Sequence, residues 1–168
     1  MSNPFIYTYT GKKFYPLNPR IEDVDIIDIG HSLSLICRFN GHSKKFYSVA
    51  EHVCHVCDLC SKDNKLAGLC HDNSEYALGD VVRPLKPFLT NYYKSEETLE
   101  ILIAKKFEYK YPYDKEVTDF DHLILQNEFR DLFDMDVVTN IDLDLTNPWT
   151  SKKAEREFLK RFEKYKNI

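Results

Sequence analysis

His71 and Asp72 set an imidazole directly beside a carboxylate, within a stretch whose pattern predicts a helix. His52 lies upstream on one predicted helix and Asp121 downstream on another. A His-Asp pair is common by chance. Two further nitrogen and oxygen donors, on amphipathic segments able to pack against that pair, are not. Four such donors with no thiolate suit a borderline or hard divalent ion that keeps open coordination positions. An ion of that kind polarises phosphate and activates water. Neighbouring helical residues point about 100° apart, so His71 and Asp72 can both reach an ion beside their helix. Glu75, one turn further on, shares their face.

The elements that must position these groups read as helices. Ser48-Val49-Ala50-Glu51 is a capping box, opening a helix to about Ser61 that carries His52 one turn in. Asp63 or Asn64 can cap the next helix, which carries Leu66, Ala67, Leu69 and Cys70, runs through His71-Asp72 and stops near Gly79. Further helices are predicted from about Val24 to Cys37, Tyr92 to Phe107, Asp114 or Lys115 to Phe133, and from Ser151 onward with Ala154, Phe158, Leu159 and Phe162 on one stripe. Asn40-Gly41 marks a turn, and Phe5, Tyr7, Tyr9, Gly11 and Phe14 read as an extended arm or short hairpin. The expectation is one all-α domain over residues 1–168: a compact helical bundle with a short N-terminal arm.

Composition narrows the function classes. The 168 residues carry a net charge of -4, which argues against bulk binding to nucleic acid or an anionic membrane. No apolar run approaches membrane-spanning length and no signal-peptide pattern opens the chain. The five cysteines are clustered rather than spread as a disulfide framework, which fits a reducing cytoplasm. Aromatic residues make up 14% of the chain, so the core or a pocket is aromatic-rich.

Taken in order, these residues resemble the HD-domain metal-dependent phosphohydrolases, and among them the compact group of bacterial 5'-deoxynucleotidases and phage deoxynucleotide triphosphohydrolases. The resemblance runs from about Gly30 to Phe162. Its carriers are Tyr47-Ser48-Val49-Ala50-Glu51-His52, His71-Asp72-Asn73-Ser74-Glu75, Gly79-Asp80 with Pro84-Leu85-Lys86, and Asp121 with Leu125 and Glu128. It implies a helical bundle binding one divalent ion (Mn, Co, Zn, Ni, Fe or Mg) through His52, His71, Asp72 and Asp121, with a second ion able to arrive with substrate. It also implies that Glu75 orients or deprotonates the attacking water, that Asp80 works near the scissile phosphate and sugar, and that the protein is a homo-oligomer. A carboxylate at Glu75 is chemically suited to accept that proton. Phosphate needs cations beyond the metal, and Arg38, with its planar fork, is the first candidate and Lys86 the second. Phe39 stands where the deoxynucleotidases have tryptophan. It can still stack near the sugar or base, but offers no indole donor. His42, Lys44 and Lys45 either hold a longer polyphosphate or form a loop facing water.

Several rival chemistries have weaker carriers. Cys54, Cys57 and Cys60 form a C-x2-C-x2-C run, but within a predicted helix, without a fourth cysteine and following proline; buried free thiols are the better reading. There is no Gly-rich phosphate loop and no serine-nucleophile elbow. The expected reaction is water attack on the α-phosphate of a deoxynucleotide, a 5'-monophosphate first and a triphosphate as the alternative. A regulatory module that binds nucleotide without turnover would have no use for Glu75, and nuclease activity conflicts with the net charge.

Overall fold

The computed structural model describes residues 4–167. The arm is a hairpin: β1 (Ile6–Tyr7) pairs antiparallel with β2 (Lys13–Phe14), Ile6 opposite Phe14. Phe14 is wholly buried, and the Thr10 backbone NH and hydroxyl donate to the Asp28 carboxylate at 2.7 and 3.0 Å. The hairpin is therefore tied to the first helix rather than free. Apart from it, the described architecture is helical, as expected: α1 (Ile26–Leu35), α2 (Val49–Leu59), α3 (Lys65–Cys70), α4 (Glu75–Leu78), α5 (Thr90–Phe107), α6 (Lys115–Phe133) and α7 (Ser151–Tyr165). No described helix is long and apolar enough to cross a membrane.

The centre of the packing is α2, which touches α1, α3, α6 and α7. Val49, Ala50, Val53, Cys54 and Cys57 meet Leu33 of α1, Leu69 of α3 and Phe158 and Ala154 of α7 in one core. Val56 and Cys60 join Ala67, Val117 and Ile124 in a second cluster, which fixes α6 against α2 and α3. Ser48 opens α2 as the sequence predicts, its hydroxyl accepting from the Glu51 NH at 3.1 Å. The Glu51 carboxylate, however, does not close the box on Ser48. It accepts instead from the Trp149 backbone NH at 2.8 Å, tying the start of α2 to the chain entering α7. The cysteine run lies in and at the end of α2 as buried free thiols, and burial pushes Cys57 up to about 12.

The His-Asp pair is not inside a helix. α3 ends at Cys70, His71 is its cap, and the chain turns through Ser74 before α4 begins. Asn73 N–H bonds Cys70 carbonyl at 3.0 Å and Glu75 N–H bonds Asp72 carbonyl at 3.1 Å, three-residue steps tighter than the four-residue steps of an α-helix. Neither Asp63 nor Asn64 caps α3 with its side chain. Asn64 Nδ2 donates to Glu116, which also accepts from Ser61, so the α2–α3 connection is fastened to α6 instead.

Gly68 lets α3 come close to α2. A Cβ there would lie 2.7 Å from Cys60 Sγ and 3.4 Å from Cys57 Cα. The replacement Gly68→Val should destabilise the fold by about 1–3 kcal/mol through overpacking, measured by urea denaturation. An unchanged midpoint would show that the two helices can separate without cost.

Candidate metal centre

The sequence's four donors converge. His52 Nε2, from α2, lies 3.1 Å from Asp121 Oδ1 of α6 and 3.7 Å from Asp72 Oδ2. His71 Nε2 lies 3.4 Å from Asp72 Oδ2 and 3.8 Å from Asp121 Oδ1. Both Nε2 atoms are buried without an aligned hydrogen bond, a costly state for polar nitrogens unless something else meets them. The buried His52, His71 and Asp72 group, whose ligand atoms all lie within 4.8 Å of one another, can hold a metal ion.

The opposite ring nitrogens are anchored. His52 Nδ1 donates to Glu128 Oε1 at 2.6 Å and His71 Nδ1 donates to the Gly68 carbonyl at 2.8 Å. With a proton fixed on each Nδ1, each Nε2 faces the centre as the atom that binds either a second proton or a metal ion, which is how protein surroundings orient a ligating histidine. The other Glu128 oxygen accepts from Arg38 Nη2 at 3.0 Å, and Arg38 Nη1 lies 3.5 Å from Asp72 Oδ2. Arg38 is thus a buried strut as well as a cation, a role its position in a loop did not suggest. The loop itself is unusual: Phe39 and Asn40 both have left-handed backbones, with φ of 58° and 51°. Such strain tends to collect at functional sites.

Around these groups stand the others. Glu75 opens α4, is buried, and has an unpartnered Oε2. Burial, then Asp72 and Asp80, raise its carboxyl well above the usual range. Asp80 follows Gly79, whose φ of +79° turns the chain back, and the Gly79 carbonyl accepts from Tyr92 of α5 at 2.9 Å. Burial and Asp72 raise Asp80 too, against Arg38 and Lys86. Lys86 is held by Glu96 at 2.8 Å. Arg83, on the same loop, is missing from the sequence-based set. Its guanidinium lies 3.4 Å from Asp121 Oδ2 and 3.2 Å from His122 Nε2, with the side chain 67% exposed.

Two expected contributors lie elsewhere. Phe39 packs edge-on against Phe133 and tilted against Phe129, with Arg38 over its ring, so it is part of an aromatic wall behind the loop. His42 is exposed and makes no side-chain contact with the cluster among the described residues. Lys44 pairs with Asp134 and Lys45 with the Thr146 carbonyl, which ties this loop to the connection between α6 and α7. Glu128, which the sequence offers beside Asp121 without a role, lies two helical turns from it on the same face, and that period could have placed it in the centre. Arg83 carries no such signal, because a loop has no period.

No protein-family model matches the chain. It is 38% identical over 128 residues to the uncharacterized protein YfdR of Escherichia coli (strain K12), an overlap covering 76% of this chain and 72% of YfdR. The chain belongs to the YfdR family. It is also 33% identical over 108 residues to the uncharacterized protein RCAP_rcc00048 of Rhodobacter capsulatus, covering 58% of this chain and 55% of that one.

In this YfdR-family chain the centre carries more negative than positive groups. Asp72, Glu75, Asp80, Asp121 and Glu128 surround Arg38 and Lys86, and the histidines take up protons in response. Burial opposes protonation of His71, yet Asp72 and Asp121 carry its pKa to about 9. Burial likewise opposes ionisation of Glu128, yet Arg38 and His52 hold it at about 2. Both histidines are thus set to exchange a proton for a metal ion, so metal binding should release protons.

Two outcomes follow from this balance. His71 binds its proton more tightly folded than unfolded, so its stabilisation is complete below 6.5 and lost as pH rises through about 9. In chelator, the melting temperature should fall between neutral pH and that point, and saturating metal should flatten the decline. A metal-free melting temperature that stays level would remove the carboxylate–imidazole balance as a source of stability. Separately, Glu128→Ala leaves Arg38 buried without its closest partner and should cost about 3–5 kcal/mol in chemical denaturation. A loss under 1 kcal/mol would mean that Asp72 alone suffices to hold Arg38.

Proposed function

We propose that this chain is an HD-domain-type metal-dependent phosphohydrolase that converts deoxynucleoside 5'-monophosphates to nucleoside and phosphate. The observation that carries the reading is the pair of buried imidazoles, each anchored through Nδ1, each with its Nε2 directed at the same two carboxylates. His52, His71, Asp72 and Asp121 would hold one divalent ion, and the donor chemistry admits Mn, Co, Zn, Ni, Fe or Mg. When bound, such an ion supplies charge neutralisation at the phosphoryl oxygens and a lowered pKa for water.

The remaining work falls to the chain. Glu75 Oε2 is a buried carboxylate atom without a hydrogen-bond partner, suited to take the proton of the attacking water. Burial beside Asp72 and Asp80 raises its proton affinity, and the charge of a bound divalent ion would oppose that rise and leave it ionised to act as the base. Arg38, whose Nε is unpartnered, can donate to a phosphoryl oxygen while Glu128 fixes its plane. Asp80, raised by burial, can hold a proton for the departing 5'-oxygen, and Lys86 adds positive charge on the same side. The water oxygen joins phosphorus, the ester P–O bond breaks, and the proton count closes between Glu75 and Asp80.

A second reading, removal of triphosphate from a deoxynucleoside triphosphate, draws on Arg83. An exposed guanidinium beside Asp121 is placed to meet phosphates beyond the first. Lys44 and Lys45 lend it no weight, since both are tied to the α6–α7 connection.

The test is chromatography of products formed with Mn²⁺ or Co²⁺ from a panel of deoxynucleoside mono- and triphosphates and ribonucleotides. Nucleoside plus phosphate from monophosphates supports the first reading, and intact triphosphate supports the second. No turnover with metal bound would overturn both. Asp72→Ala should remove metal binding and turnover together. Glu75→Gln should keep the metal and lose roughly 10²–10⁴-fold in kcat; full activity would take Glu75 out of the reaction.

A further inference from the structure

The helix α5 has two faces. Leu99 and Ile103 enter the core, and Glu96 and Glu100 look toward the centre, where Glu96 holds Lys86 and Glu100 accepts from Tyr111. The outer face carries Tyr93, Lys94, Glu97, Ile101 and Lys105, with Glu108 at the C-terminal cap. Ile101 is 51% and Tyr93 57% exposed, and among the described residues none of the four charged groups makes an ion pair within the chain. A groove of about 670 Å³ runs beside the second half of this face, walled by Ile101, Ala104, Tyr109, Tyr111 and Pro112.

The order of these residues is self-complementary. Counting outward from Ile101, the fourth residue on one side is Glu97 and on the other Lys105, and the seventh is Lys94 against Glu108. The eighth is Tyr93 on one side, while on the other Tyr109 lines the groove. A second copy of α5 laid antiparallel about a two-fold axis through Ile101 brings each of these pairs face to face. Four residues span about 6 Å of helix, so opposed positions on the two copies stay in register. A two-fold interface demands this symmetry, because the same patch must complement itself.

We propose that the outer face of α5 is a two-fold interface between copies of this chain. Ile101 packs on its counterpart, Glu97 pairs with Lys105 of the partner subunit, Lys94 pairs with Glu108 of the partner subunit, and Tyr93 enters the partner's groove. The proposal is independent of the reaction the centre performs.

Sedimentation velocity of the full chain across the micromolar range tests it, with circular dichroism confirming that each variant is folded. The wild-type chain should be a dimer, and Ile101→Arg should be a monomer. Glu97→Lys or Lys105→Glu alone sets like charges opposite one another at two symmetric places and should weaken the dimer about ten-fold or more. The double variant Glu97→Lys, Lys105→Glu restores opposite charges and should recover the dimer. A monomeric wild type would overturn the proposal and leave the face to a different partner. A dimer untouched by Ile101→Arg, or a double variant no tighter than the single ones, would overturn it too.

Discussion

Both oxygens of Glu128 are engaged at once, one on the His52 imidazole and one on the Arg38 guanidinium, and the carboxyl is wholly buried. A charge in that position is tolerable only because both partners are themselves held. Arg38 leans on Asp72, and His52 faces Asp72 and Asp121. Each of these groups alone would be expensive to bury. Together they form a closed arrangement drawn from the Arg38 loop, α2, the α3–α4 turn and α6. The geometry of the centre therefore does not rest on one helix but on a balance among four pieces of chain.

That balance explains the packing around it. α6 must come close enough to α2 for Glu128 and Asp121 to straddle His52, and the cluster of Val56, Ala67, Val117 and Ile124 sets that distance. Gly68 serves twice: its missing side chain admits α3 against α2, and its carbonyl fixes the His71 ring. The loop after α4, pinned by Tyr92 and by the Lys86–Glu96 pair, brings Asp80 and two cations to the open side. α5 thus links the site's outer wall to the surface proposed for a second copy.

Much of this was legible in the sequence because helices announce themselves by period and cap. The Ser48 cap, the core stripes of α5, α6 and α7 and the hairpin arm all followed from local rules, and they put His52, His71, Asp72 and Asp121 in one place. What local rules could not supply was long-range. The tight turn at His71–Ser74 breaks a helical pattern that the residue types alone support. Glu51 left its capping partner for the Trp149 backbone, 98 positions away. Arg38 showed its positive charge in the sequence but not its burial, and the lysines after His42 gave no sign that they would fasten the loop to the α6–α7 connection. Each of these depends on a partner that arrives from elsewhere in the chain.

The contact between α7 and α2 has a consequence for the order of synthesis. Every donor of the centre lies at or before Asp121 and Glu128, yet α2 is walled on one side by Ala154, Phe158 and Phe162 and anchored at its start by the segment entering α7. A chain still emerging from the ribosome therefore carries all its donors before it has the scaffold that holds them. The wall that α7 supplies to α2 is the last part of the scaffold to be made. The arrangement of donors described here thus depends on chain made after every one of them.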